Sequence, residues 1–101
     1  MGISYNVPKS EANIQERGLS FEAVRDFVMS SALIVEDCRN AYIERRFQAL
    51  GLIADRLHML VFTPRGNKIH VISLRKANSR EVKQYEQAEQ GRSARREPRM
   101  G

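Results

Sequence analysis

The sequence predicts an α+β fold in which an N-terminal helical hairpin and a C-terminal helix accompany a four-stranded, mainly antiparallel sheet. Three observations lead there. Apolar residues recur at helical spacing around Phe21, Val24, Phe27 and Val28. From Ala32 to Arg75, β-branched and aromatic segments of about eight residues alternate with turn signals, the texture of a strand meander. Asn78 followed by Glu81 then has the spacing of a capping box, which marks the start of a helix after the last strand. A chain of 101 residues holds one core, since two half-sized cores would both be marginal. We place a single domain over residues 1–90 and a mobile basic tail over 91–101.

Each element has a local reason. After a short apolar start around Ile3 and Tyr5, Pro8 is suited to open a helix through KSEANIQER, and Gly18 to close it in the left-handed conformation. Ser20 offers an N-cap to a second helix, with Glu22 in its first turn. Strands are expected at 32–37, 42–50, 56–63 and 68–75, joined by the turns CRN, GLIAD and PRGN. The last turn is the clearest, because Thr63-Pro64-Arg65-Gly66 sets Pro where φ is already fixed and Gly at the final turn position. The closing helix should bury Val82 and Tyr85. Beyond it, QGRSARREPRMG carries four arginines and almost nothing to bury, so it cannot offset its own ordering entropy.

Composition narrows the function classes. Hydrophobic residues make up 42% of the chain and charged ones 29%, too apolar for wholesale disorder. No apolar run approaches the roughly 18 residues of a membrane span, and MGISYNVPKS has no leader pattern, so a cytoplasmic protein without membrane contact is expected. The single Cys38 cannot form an internal disulfide and is read as a small packed hydrophobe. Charge is uneven: residues 1–63 carry seven Lys/Arg against eight Asp/Glu, and residues 64–101 ten against four. A positive field concentrated on one half attracts polyanions, whether nucleic acid or an acidic protein.

Among chemistries, a metal site is not expected, since His58, His70 and Cys38 fall on three predicted strands without ligand spacing. No cofactor is expected either: Gly51 and Gly66 are isolated turn residues, not a phosphate-binding loop. Ser73, His70 and Asp37 lack a nucleophile elbow, and His58 sits among apolar neighbours as a structural histidine. The basic group is different in kind. Arg75, Lys76 and Arg80 come from a strand end and a first helical turn, where backbone N–H groups also favour an anion. In a regular strand Arg75 and His70 face opposite sides, so a site that joins them needs a bulge. The competing reading pairs Arg75 with Glu44 or Glu36 on a neighbouring strand and leaves the rest solvated. A metal-free ribonuclease needs a base, an acid and cations for the phosphorane, and this set supplies them through Arg75, Arg80 and His70, with Glu81 or Tyr85 assisting.

The order of motifs resembles the BrnT toxins of bacterial type II toxin-antitoxin systems. The likeness covers residues 5 to about 86 and rests on PKSEANIQERGLSFEAVRDF, ERRFQALG and RLHMLVFTPRGNKIHVISLRKANSREVKQYE. It implies a RelE-like fold, ribonuclease activity that arrests translation, and a tight complex with a BrnA-type antitoxin that also binds DNA and represses their shared promoter; we further expect a metal-independent mRNA endoribonuclease and a 2:2 complex that meets operator DNA only through the antitoxin. The resemblance carries the family's basic residues over as Arg65, Arg75, Lys76 and Arg80, with Glu81 and Tyr85 at the helix positions that follow; taken with the residue types themselves, the expected catalytic set is Arg75, Arg80, His70 and Glu81 and the RNA-binding set Arg65, Lys76, Lys83 and Tyr85. This chain departs from the family pattern at Asn6-Val7-Pro8, at Glu16-Arg17-Gly18, where the family commonly has Lys-His-Gly, at His70, where it tends to have arginine, and at Leu74, where it tends to have alanine. The alternative function is a non-catalytic basic module, a degenerate toxin that serves as co-repressor.

Overall fold

In a computed structural model, which describes residues 2–96 and side chains as far as Arg92, the α+β class holds but the sheet is larger than expected. Five strands run β1 (Gly2–Tyr5), β2 (Leu33–Asp37), β3 (Arg46–Ile53), β4 (Arg56–Arg65) and β5 (Lys68–Lys76), with helices α1 (Val7–Arg17) and α2 (Ser79–Arg96). The sheet order is β1-β5-β4-β3-β2, antiparallel except where β1 pairs parallel with β5. The apolar start around Ile3 and Tyr5 is thus an edge strand; four residues joined to no hairpin give too short a period-2 signal to read.

The expected helical hairpin is only half α-helical. Asn6 caps α1 by accepting from the Lys9 N–H (3.0 Å), and Gly18 closes it at φ 70° with its N–H on the Ile14 carbonyl (2.8 Å). Ser20 does cap the next element, but that element is a 3₁₀ helix, Phe21–Asp26. The reason lies in the spacing: Phe21, Val24 and Phe27 are three apart, which aligns them on one side at three residues per turn, and all three are buried. They join Ala49, Leu60, Phe62, Ile69, Val71 and Leu74 in the main core. Two polar residues of α1 secure this layer. The Ser10 hydroxyl accepts from the Phe21 N–H (3.0 Å), and the buried Asn13 amide donates to the Leu19 and Leu74 carbonyls (2.8 and 2.9 Å). The Leu74 carbonyl lies past the end of the β1 pairing, so Asn13 satisfies it in place of a strand.

On the opposite face α2 covers only part of the sheet. Val82, Tyr85 and Ala77 pack with Leu50, Leu57 and Met59. The capping box forms as the spacing predicts: Asn78 Oδ1 accepts from the Glu81 N–H (2.8 Å) and Glu81 Oε1 from the Asn78 N–H (3.0 Å). The helix continues to Arg96, so the backbone of residues 91–96, expected in the tail, is helical; alanine and arginine are good helix formers, and Glu89–Arg92 adds an ion pair three residues apart. Residues 97–101 of that tail lie outside the described residues.

Strand limits shift for identifiable reasons. Residues 42–45, expected in a strand, belong to a loop because the buried Asp37 carboxylate gathers Arg39 (N, Nε and Nη2, 2.8–3.2 Å) and the Tyr42 hydroxyl (3.1 Å) and so curls the chain. Cys38, at the start of this loop, is exposed and not packed as expected. Gly51 lies inside β3, and the turn is Ala54-Asp55 between paired Ile53 and Arg56. Likewise Pro64 and Arg65 end β4, and the turn is Gly66-Asn67, with Gly66 at φ 62°. Ala54 takes φ 53° without being glycine, a conformation that costs an L-residue roughly 1–2 kcal/mol. Replacing Ala54 by Gly is therefore expected to raise unfolding free energy by about 1 kcal/mol, after the extra entropy of unfolded glycine, as read by urea denaturation.

Candidate active site

The decisive local feature is a bulge in β5. Thr63 pairs with His70 and Phe62 with Val71, but Val61 pairs with Ser73, so Ile72 is the extra residue. Before it Ile69 and Val71 face the main core; after it Leu74 does. His70 and Arg75 consequently share the opposite face, the arrangement that a regular strand forbids. They sit two side-chain rows apart, about 13 Å along the strand.

Register extends the His70 row across the whole sheet. Ser4 of β1 stands opposite His70, His70 opposite Thr63, and Asp37 of β2 opposite Arg46 of β3. Arg46 and Thr63 are one step beyond the Phe47–Phe62 pair. The row Ser4, His70, Thr63, Arg46, Asp37 lies where α2 does not cover the sheet. Above its middle opens a cleft of about 470 Å³, lined by His70, Thr63 and Arg46 of the row and by Lys9, Tyr42, Ile43, Glu44, Arg65 and Ile72.

His70 is half-buried here. Its Nδ1 and the Ser4 hydroxyl are 3.0 Å apart, which fixes the ring and leaves Nε2 to the cleft. Burial lowers its pKa below the ordinary 6.5, and the Arg65 and Lys9 charges push the same way against Glu44. The imidazole is neutral at pH 7, the state required of a base. The unfolded chain takes up this proton more readily than the folded one, so His70 contributes to stability above about 6.5 and the contribution is lost as pH falls through its folded pKa. Thermal unfolding of the natural chain is expected to drop more between pH 7.5 and 5 than that of His70→Gln.

Arg65 donates from Nε and Nη2 to both oxygens of Glu44 (3.0 and 2.7 Å), an exposed pair that holds the Glu44 carboxyl below its usual range. Arg75 donates from Nη1 and Nη2 to both oxygens of Glu81 (2.8 and 2.7 Å). Arg75 therefore does have a carboxylate partner, but neither of the two expected: Glu36 is paired with Arg45 and Glu44 with Arg65. The capping box turns Glu81 back over the strand end, and with Arg75 and the Asn78 N–H it is kept an anion. Arg80, Lys76 and Lys83 are exposed around this junction. Tyr85 is half-buried; it packs against the Leu50, Leu57 and Met59 cluster and its hydroxyl donates to the Ser31 carbonyl (3.2 Å). His58 is buried, with Nδ1 2.8 Å from the Arg56 carbonyl. The predicted residues thus divide into His70 and Arg65 in the cleft and Arg75, Arg80, Lys76, Lys83 and Glu81 at the α2 end. Lys9, Arg46 and Glu44 complete the cleft; only strand register could have pointed to Arg46, and the helix–sheet docking to Lys9.

Among the described residues no three His, Cys, Asp or Glu side chains converge on a metal position, and no helix is long and apolar enough to cross a membrane. The sequence matches, over residues 5–81, the family model described as ribonuclease toxin, BrnT, of type II toxin-antitoxin system. The chain belongs to the BrnT family. A comparison with curated proteins gives no match. The family match covers the cleft residues Lys9, Arg46, Arg65 and His70 as well as Arg75, Arg80 and Glu81. BrnT proteins are ribonuclease toxins, and membership implies an antitoxin partner.

Proposed function

We propose that this chain is a metal-independent mRNA endoribonuclease whose chemistry occurs in the His70 cleft. The observation that carries the reading is the cleft that sets one hydrogen-bonded histidine among Lys9, Arg46 and Arg65. His70 Nε2 takes the proton of a ribose 2′-hydroxyl, the 2′-oxygen attacks the adjacent phosphorus, and the 5′-oxygen leaves. Lys9, the cleft residue with an exchangeable ammonium proton, protonates that oxygen. The products are a 2′,3′-cyclic phosphate and a 5′-hydroxyl. Arg65 stabilises the phosphorane's charge. Glu44 occupies Arg65 until phosphate displaces it, which costs little because exposed ion pairs are weak.

At the other end of the face Arg75, Arg80, Lys76 and Lys83 hold flanking phosphates. Glu81, locked as an anion, aligns Arg75 and moves no proton. Tyr85 anchors α2 to the sheet. A BrnA-type antitoxin covers this basic face in the cytoplasm, and a dimeric antitoxin brings two toxin copies to operator DNA in a 2:2 complex.

One observation favours a second reading, a binding module that serves as co-repressor: Arg65 and Arg75 are both paired with carboxylates of this same chain. Induction of the chain alone in bacteria separates the two. Arrest of growth and protein synthesis by the natural sequence, with none from a folded His70→Ala/Arg65→Ala variant, supports the enzyme. Normal growth with both at equal soluble levels supports the module.

A further inference from the structure

The cleft is larger and more varied than a phosphate site requires, and its contents are asymmetric. Its volume, about 470 Å³, lies within the roughly 300–1,000 Å³ of sites that enclose a whole small molecule. Lys9, Arg65 and His70 are the cationic and proton-transferring groups. Tyr42, Ile43 and Ile72 line the same cleft and have no use in the phosphoryl chemistry.

Tyr42 and Arg46 are stacked in advance. The Arg46 guanidinium carbon lies 4.2 Å from the Tyr42 ring centroid. The Tyr42 hydroxyl is tied down, donating to Asp37 (3.1 Å) and accepting from Asn40 (3.2 Å). Asp37 is itself buried, and Arg39 holds its carboxyl far below the usual carboxylate range. Ile43, beside this stack, is as exposed as in an extended chain, with a relative exposure of 105%. Flat aromatic and guanidinium groups take unpaired nucleobases, while nearby cations take the phosphates.

The geometry points to a nucleobase subsite formed by Tyr42, Arg46 and Ile43, which takes one unpaired base of single-stranded RNA next to the reacting phosphate. This inference rests on the ribonuclease reading of the cleft. It makes the enzyme selective for single strands, since a paired base cannot leave its stack to enter.

The test uses the full chain and two labelled octanucleotides followed by fluorescence anisotropy: a 2′-deoxy strand, which cannot be cleaved through a 2′-oxygen, and an abasic strand with the same phosphates. The natural chain is expected to bind the base-bearing strand about tenfold more tightly or better. Arg46→Lys keeps the charge and loses the plane, and Ile43→Ser changes a side chain that supports no packing. Each is expected to remove most of that preference with little change in abasic binding. Equal affinity of the natural chain for the two strands would overturn the base subsite and leave the ribonuclease reading standing. A preference that survives both variants would also overturn it, by placing the base elsewhere. Failure to bind either strand would overturn the RNA reading of the cleft and the subsite with it.

Discussion

His70→Ala is expected to lower RNA cleavage by about 10²–10⁴-fold, the usual contribution of a positioned general base, without loss of fold. Burial and the Arg65 and Lys9 charges lower the pKa of this imidazole from its ordinary value, and Ser4 fixes the ring at 3.0 Å. Its half-buried ring faces the cleft and not the main core, so its removal leaves the packing of Ile69 and Val71 intact. Initial rates on a labelled RNA, with circular dichroism to check folding, measure the effect. Arg65→Ala is expected to reduce the rate as well, and the two losses together to fall short of their product because both act on one transition state. Arg75→Ala should weaken RNA binding more than it slows chemistry, since Arg75 stands two rows away and is held by Glu81. A rate unchanged by His70→Ala would remove the cleft from the mechanism.

The largest stability effect is expected at Gly51. The far end of the Phe27 ring abuts this glycine: a Cβ built there would stand 2.4 Å from Phe27 Cζ and 2.7 Å from Cε1. Phe27 cannot swing aside freely, because it is buried in the main core and bridges to Ile53, with the next residue's N–H on the Leu52 carbonyl (2.9 Å). Gly51→Ala should therefore cost about 2–3 kcal/mol, in the range of overpacked cores, and lower Tm by roughly 10 °C or more in a domain of this size. Phe27→Leu in the same chain removes the offending ring atoms, so the double variant is expected to be more stable than the sum of the two single losses. Additive losses would show that the ring is not the cause.

What could be read in the sequence was local. The Gly18 cap of α1, the β4–β5 hairpin and the Asn78–Glu81 capping box each depend on residues within a few positions of one another, and each is found. Gly51 was misread as a turn residue because its reason is a ring 24 positions earlier in the chain. The 42–45 segment looked like a strand because β-propensity says nothing of a buried Asp37 that pulls Arg39 and Tyr42 into a loop. β1 is long-range pairing in four residues.

The site divides along the same line. His70 and the basic character of the last strand were legible as residue types. Their assembly was not, because it depends on one extra residue at Ile72 that reverses the facing of everything after it. Strand alternation requires a bulge for His70 and Arg75 to meet on one face, and β5 has one. Residue types alone point Arg75 to a carboxylate across the sheet, while the capping box brings its partner from six residues ahead.

The most direct test is to digest a 5′-labelled single-stranded RNA with the purified chain in excess EDTA and to identify the new termini. Undiminished cleavage that leaves 2′,3′-cyclic phosphate and 5′-hydroxyl ends, and that is lost with His70→Ala, is the expected result. Cleavage abolished by the chelator, or ends bearing 3′-hydroxyl and 5′-phosphate, would contradict attack by the 2′-oxygen in the His70 cleft.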